Sequence, residues 1–158
     1  MATVGIDGMP ERAAEYYAMG IRFAKWRATI KVDPKNNLPS ETAIREIAHN
    51  LARYGAICQA AGLVPIIEPE TMWDGDHDIQ TCYKITNRVL QVVVQELKNQ
   101  KVLLEGMVLK PNMVTNGSDS TEKNCPEEVA FLTMATLSKN LPASVPGVTF
   151  LSGGQSEE

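Results

Sequence analysis

Short β-branched apolar runs alternate along this chain with long amphipathic stretches, and that alternation predicts an α/β fold of parallel strands joined by helical crossovers. A second observation narrows the class. Polar residues close the four apolar runs at Lys25, Glu68, Lys110 and Ser152, at intervals of 43, 42 and 42 residues, so each interval holds one βα unit. A polar side chain in or at the end of an otherwise apolar strand is where a (β/α)8 TIM barrel carries its chemistry. The third observation is length: 158 residues fall short of the about 250 that a closed barrel needs. The expectation is one partial barrel domain, residues 1–158, holding about four units.

The elements follow in order. Pro10 to Met19 reads as a helix closed by Gly20, and FAKWRATIKV, Phe23 to Val32, as the first strand. Ser40 suits the N-cap of a long helix running to Ala61, with Gly62 just past its end. LVPIIEPE, Leu63 to Glu70, is the second strand. Asp76 or Asp78 can cap a third helix reaching about Lys98, whose apolar stripe includes Ile85, Val89, Val92 and Val93. The third strand spans Val102 to Met113, Pro126 fits the first turn of a fourth helix, and Val148 to Gly153 is the fourth strand. No linker or low-complexity block divides the chain.

Composition excludes several function classes. A formal charge of −4 with interspersed signs offers no basic patch for nucleic acid or an anionic membrane. No apolar run approaches the roughly 20 residues of a membrane span, and the N-terminus lacks the features of a signal peptide, which points to the cytoplasm. Cys58, Cys82 and Cys125 are an odd count without metal-ligand spacing, as reduced intracellular thiols are. Without a secretion signal, Asn116-Gly117-Ser118 is an accidental glycosylation match. Asp74 to Asp78 resembles the start of a calcium loop, but the twelfth position is Ile85 where a glutamate is required. His49 and His77 are not at metal spacing, so neither a metal nor any other cofactor is expected.

Four groups of residues carry candidate chemistry. Lys110, in LLEGMVLKPNMV, sits in a run apolar enough to lower its pKa by burial, and an unprotonated amine can attack a ketone to form a Schiff base. The same sequence also fits a strand-end lysine snorkelling into water before Pro111. Lys25 and Arg27 share a strand face by period two, a pair that would satisfy a phosphorylated substrate or sit solvated on an edge. Glu68 and Glu70 also share a face, and two close carboxylates can split their titrations so that one holds a proton for acid/base work. A solvated strand terminus is the alternative. Ser152-Gly153-Gly154 could offer bare N–H groups to a phosphate, or be only a turn.

Taken together, in this order and spacing, FAKWR, LVPIIEPE, DGDHD, LLEGMVLKPNMV and FLSGGQSEE resemble class I fructose-1,6-bisphosphate aldolase over essentially the whole chain, in the form of its cytosolic eukaryotic members. The resemblance implies barrel strands four to seven. It implies that Lys110 forms the Schiff base, Glu68 is the general acid/base, Lys25 assists carbinolamine chemistry and Glu70 supports the network. Arg27 would bind substrate, and Ser152 with Gly153 would form part of a phosphate clamp. The implied reaction is metal-free cleavage of fructose 1,6-bisphosphate to dihydroxyacetone phosphate and glyceraldehyde 3-phosphate, by a homotetramer. The family's earlier strands, with an aspartate and a further lysine, and its last strand, with an arginine, fall outside these residues. Thr71-Met72-Trp73 and Asn116 depart from the aliphatic segment and proline usual there. A different class of reading is a truncated, non-catalytic paralogue acting as an interaction protein.

Overall fold

The computed structural model describes residues 3–155; Ser156, Glu157 and Glu158, the end of the FLSGGQSEE run, lie outside them. Four helices and three strands alternate: α1 (Met9–Ala18), β1 (Phe23–Ile30), α2 (Glu41–Ala60), β2 (Val64–Thr71), α3 (Ile79–Asn99), β3 (Val108–Leu109) and α4 (Pro126–Asn140). The start signals act as their chemistry dictates. Ser40 Oγ accepts from the Ala43 N–H at 3.2 Å to open α2, and Asp78 Oδ1 accepts from the Thr81 N–H at 2.6 Å to open α3. Gly62, at φ 82°, takes the left-handed conformation that lets the chain leave α2 and enter β2 at once.

The strands form one parallel sheet in the order β1-β2-β3. β1 and β2 pair along their whole length, from Phe23↔Val64 to Ile30↔Thr71. β3 meets β2 at Ile66↔Val108, and that 42-residue offset is the register behind one of the spacings visible in the sequence.

Two expectations need correction. The third apolar run is a strand only at Val108–Leu109, not from Val102 to Met113. Its beginning is held by a helix side chain: Gln59 of α2 donates to the Leu103 carbonyl at 2.8 Å and accepts from the Leu103 N–H at 2.9 Å, and Leu104–Gly106 turn as a short 3-10 helix. Its end is limited by Pro111, which has no N–H for the ladder. The fourth run, Val148 to Gly153, makes a single parallel bridge, Leu109↔Val148. A two-residue β3 offers it little more than the Leu109 N–H, given to Gly147, and the Leu109 carbonyl, taken by Thr149.

Alternate residues give the sheet two unlike faces. Ala28, Ile30, Ile67 and Leu109 point into a core built with Ile47, Leu51, Leu90, Val93 and Leu97 of α2 and α3. Trp26 packs there against the fully buried Tyr54, ring centroids 5.6 Å apart. Burial pushes the Tyr54 hydroxyl pKa well up, so this residue stays neutral in the core. Phe23, Lys25, Arg27 and Thr29 alternate with that set and are exposed on the opposite face.

Candidate active site

The open face gathers the predicted chemistry of three strands around one carboxylate. Glu68, on β2, lies between Arg27 of β1, its register partner, and the residue that follows β3, Lys110. Lys110 Nζ donates to Glu68 Oε1 at 2.5 Å, and Lys25 Nζ lies 2.8 Å from Oε2. One carboxylate thus holds two ammonium groups. Arg27 Nε pairs in turn with Glu70, one pleat further along the same face.

Lys25 is not at a strand end, as its spacing had suggested; it is the third residue of β1, paired with Ile66. It reaches Glu68 diagonally, as Arg27 reaches Glu70. Lys110 precedes a proline, which keeps its backbone extended, and its own N–H donates to the Ile67 carbonyl at 2.8 Å. That bond fixes the lysine beside Glu68.

Exposure separates the anions from the cations. The Glu68 and Glu70 side chains are only 2% and 12% exposed, whereas those of Lys25 and Arg27 are 43% and 44% exposed, with Lys110 between at 22%. The carboxylates form the floor and the cations present their heads to whatever enters. A negatively charged ligand with a carbonyl suits that surface.

Burial pushes the Glu68 carboxyl up, but the hydrogen bonds and charges of Lys110 and Lys25 outweigh it and hold the group below the ordinary glutamate value. Glu68 therefore does not match the expectation of a carboxyl that keeps a proton, because two cations hold it. In this arrangement Glu68 is an anion, and it is a proton acceptor before it can be a donor. Nucleophilic attack by Lys110 needs the free amine, and the proton that must leave lies on the bond to Glu68.

Ser152 and Gly153 stand apart from this cluster. The register Leu109↔Val148 places Ser152 beyond the level of Lys110, in a turn closed by a 3.1 Å bond from the Gln155 N–H to the Ser152 carbonyl. Gly153 and Gly154, at φ 61° and 78°, both need the left-handed region. Asp76 and Asp78, which mimic a calcium loop, are otherwise engaged: Asp76 pairs with Lys35 at 2.5 Å and Asp78 caps α3.

Sequence reading missed Asn112. Its Oδ1 accepts from the Thr71 N–H at 3.0 Å, and its Nδ2 donates to Thr86 Oγ1 at 3.2 Å and the Met113 carbonyl at 3.0 Å. Thr86 Oγ1 donates onward to Thr71 Oγ1 at 3.3 Å. Because Pro111 cannot continue the ladder, this side chain ties the end of β3 to the end of β2 and to α3. The available signal was a polar residue directly after a proline that ends a strand.

The chain is similar to known proteins over nearly its whole length. The family described as "Glycolytic: Fructose-bisphosphate aldolase class-I" matches residues 1–158. Fructose-bisphosphate aldolase 1 of Toxoplasma gondii is 55% identical over 157 residues, covering 99% of this chain and 43% of that protein. The cytoplasmic isozyme of Spinacia oleracea is 54% identical over 156 residues, with the same two coverages. Among solved structures, fructose-bisphosphate aldolase from Plasmodium falciparum, in complex with TRAP and a small-molecule inhibitor, superposes with a TM-score of 0.93 at 50% identity. It covers 96% of this chain and 44% of that one. The chain spans less than half the length of the relatives it matches.

Proposed function

Since the chain belongs to the class I fructose-bisphosphate aldolase family, and its parallel sheet is part of that TIM barrel, we propose that it carries the Schiff-base machinery for reversible cleavage of fructose 1,6-bisphosphate. The products are dihydroxyacetone phosphate and glyceraldehyde 3-phosphate. The observation that carries this reading is the buried Glu68 carboxylate holding both Lys110 and Lys25.

Glu68, Lys110 and Lys25 supply the groups that Schiff-base formation needs. Glu68 takes a proton from Lys110, and the freed amine attacks the ketone carbon to give a carbinolamine. The proton held by Glu68 then leaves with the carbinolamine hydroxyl as water, and Lys25, on the same carboxylate, steadies the developing charge. The resulting iminium accepts the electron pair when the neighbouring carbon–carbon bond breaks, and Glu68, a carboxylate again once water has left, takes the proton of the hydroxyl that becomes the aldehyde. Arg27, fixed by Glu70, binds the phosphorylated substrate, and the Ser152–Gly153 turn offers N–H groups to a phosphate. The three strands and the run bridged at Val148 correspond to strands four to seven of a partial barrel domain, in a family of cytoplasmic homotetramers. The chain's relatives include cytosolic isozymes, and no described helix is long and apolar enough to cross a membrane.

The test is borohydride reduction of the chain in the presence of dihydroxyacetone phosphate, followed by peptide mass spectrometry. An adduct on Lys110, absent in Lys110→Met, is expected. No adduct, while a full-length relative is trapped in parallel, overturns catalysis by this chain.

A further inference from the structure

The turn that carries Ser152 and Gly153 lies close to two side chains. The Met113 Cε would stand 3.3 Å from a Cβ built on Gly153. The Trp73 ring lies so close that a Cβ on Gly154 would meet three indole carbons at 2.7–2.8 Å. Only a bare glycine backbone fits beside the indole.

Trp73 is itself well placed. It follows β2 by two residues, three after Glu70, and its carbonyl accepts from the Ser118 N–H at 2.8 Å, tying it to the loop after β3. Trp73, Gly153 and Gly154 line the same cavity, of about 500 Å³. The indole therefore joins the strand bearing the carboxylates to the glycine turn, two parts of the site with no ladder hydrogen bond between them. A tryptophan also departs from the aliphatic segment that the family resemblance leads one to expect here.

We propose that Trp73 is a positioning residue that sets the pitch of the Ser152–Gly154 turn, and so determines affinity for the phosphate of a phosphorylated ketone rather than reactivity at Lys110. The proposal rests on the functional reading above, so its test has one arm that depends on the Schiff base and one that does not.

In the first arm, half-saturating concentrations for borohydride trapping are measured with dihydroxyacetone phosphate and with dihydroxyacetone, which lacks the phosphate. Trp73→Ala is expected to raise the first by roughly fivefold, the loss of about one hydrogen bond of net binding, and leave the second unchanged. Trp73→Phe restores most of the loss. Equal shifts for both ketones, or none, overturn the proposal.

The second arm needs no adduct. The chain has two tryptophans, so Trp26→Phe leaves Trp73 as the sole indole. Inorganic phosphate is expected to change its emission saturably, and Gly154→Ala to abolish that response. A missing adduct on Lys110 in the parent chain overturns the Schiff-base reading alone; a missing saturable phosphate response overturns the role of Trp73.

Discussion

The two faces of this sheet come from alternate residues of the same strands, yet they obey opposite physics. Toward α2 and α3, Ala28, Ile30, Ile67 and Leu109 are shut into an apolar core. Toward the open side, Lys25, Arg27, Glu68, Glu70 and Lys110 form a charge lattice in which every carboxylate is spoken for. The closed face derives its stability from area removed from water, and the open face keeps its cations wet and available. Stability and chemistry are thus separable by parity along one strand.

The largest expected effect that would break this separation lies on the closed face. Leu51 of α2 is fully buried against the sheet. Leu51→Ala should destabilise the chain by about 2–5 kcal/mol through lost burial and the cavity left behind. Urea unfolding followed by circular dichroism measures it. A loss below about 1 kcal/mol would mean that this core is not packed as described.

The next effect sits where the faces join. Asn112→Ala leaves the Thr71 N–H and the Thr86 hydroxyl without their partner in a buried setting, a cost of about 1–3 kcal/mol. Urea unfolding gives the loss. Hydrogen exchange at the Thr71 amide sharpens it: protection there should fall first, ahead of the Ile67–Lys110 ladder bond.

These contrasts also explain what could be read without coordinates. The helices were legible because Ser40, Asp78, Pro126 and the glycine after α2 are local signals that act within a few residues. The members of the charge lattice were legible by parity, since Lys25 and Arg27, or Glu68 and Glu70, must share a face. Their pairing was not. Whether Glu68 meets Lys25 or Arg27 depends on the register of β1 on β2, and nothing in either strand alone encodes that register. The third strand was overread because a continuous apolar run says nothing of Gln59, which holds Leu103 away from the sheet from 44 residues earlier in sequence. Trp73 against Gly154 is likewise a long-range contact with no local signature.

The smallest expected effect concerns the open face alone. Lys110 and Lys25 hold the Glu68 carboxyl below its ordinary value, so the folded chain releases that proton more readily than the unfolded one. At a pH between the two values the unfolded state binds more protons, and stability rises with pH. The contribution is fully present above the unfolded glutamate value of about 4.3 and disappears as pH falls through the lower folded value. Glu68→Gln cannot titrate, so the acid slope of its unfolding free energy should be shallower than that of the parent chain below about pH 5. At pH 7 the substitution should cost no more than about 2 kcal/mol, because both ammonium groups left behind still reach water. Urea unfolding at a series of pH values reads both quantities. Identical acid slopes would mean that Glu68 is not held by the two lysines in solution, and the contrast between a closed face made by burial and an open face made by charge would lose its electrostatic half.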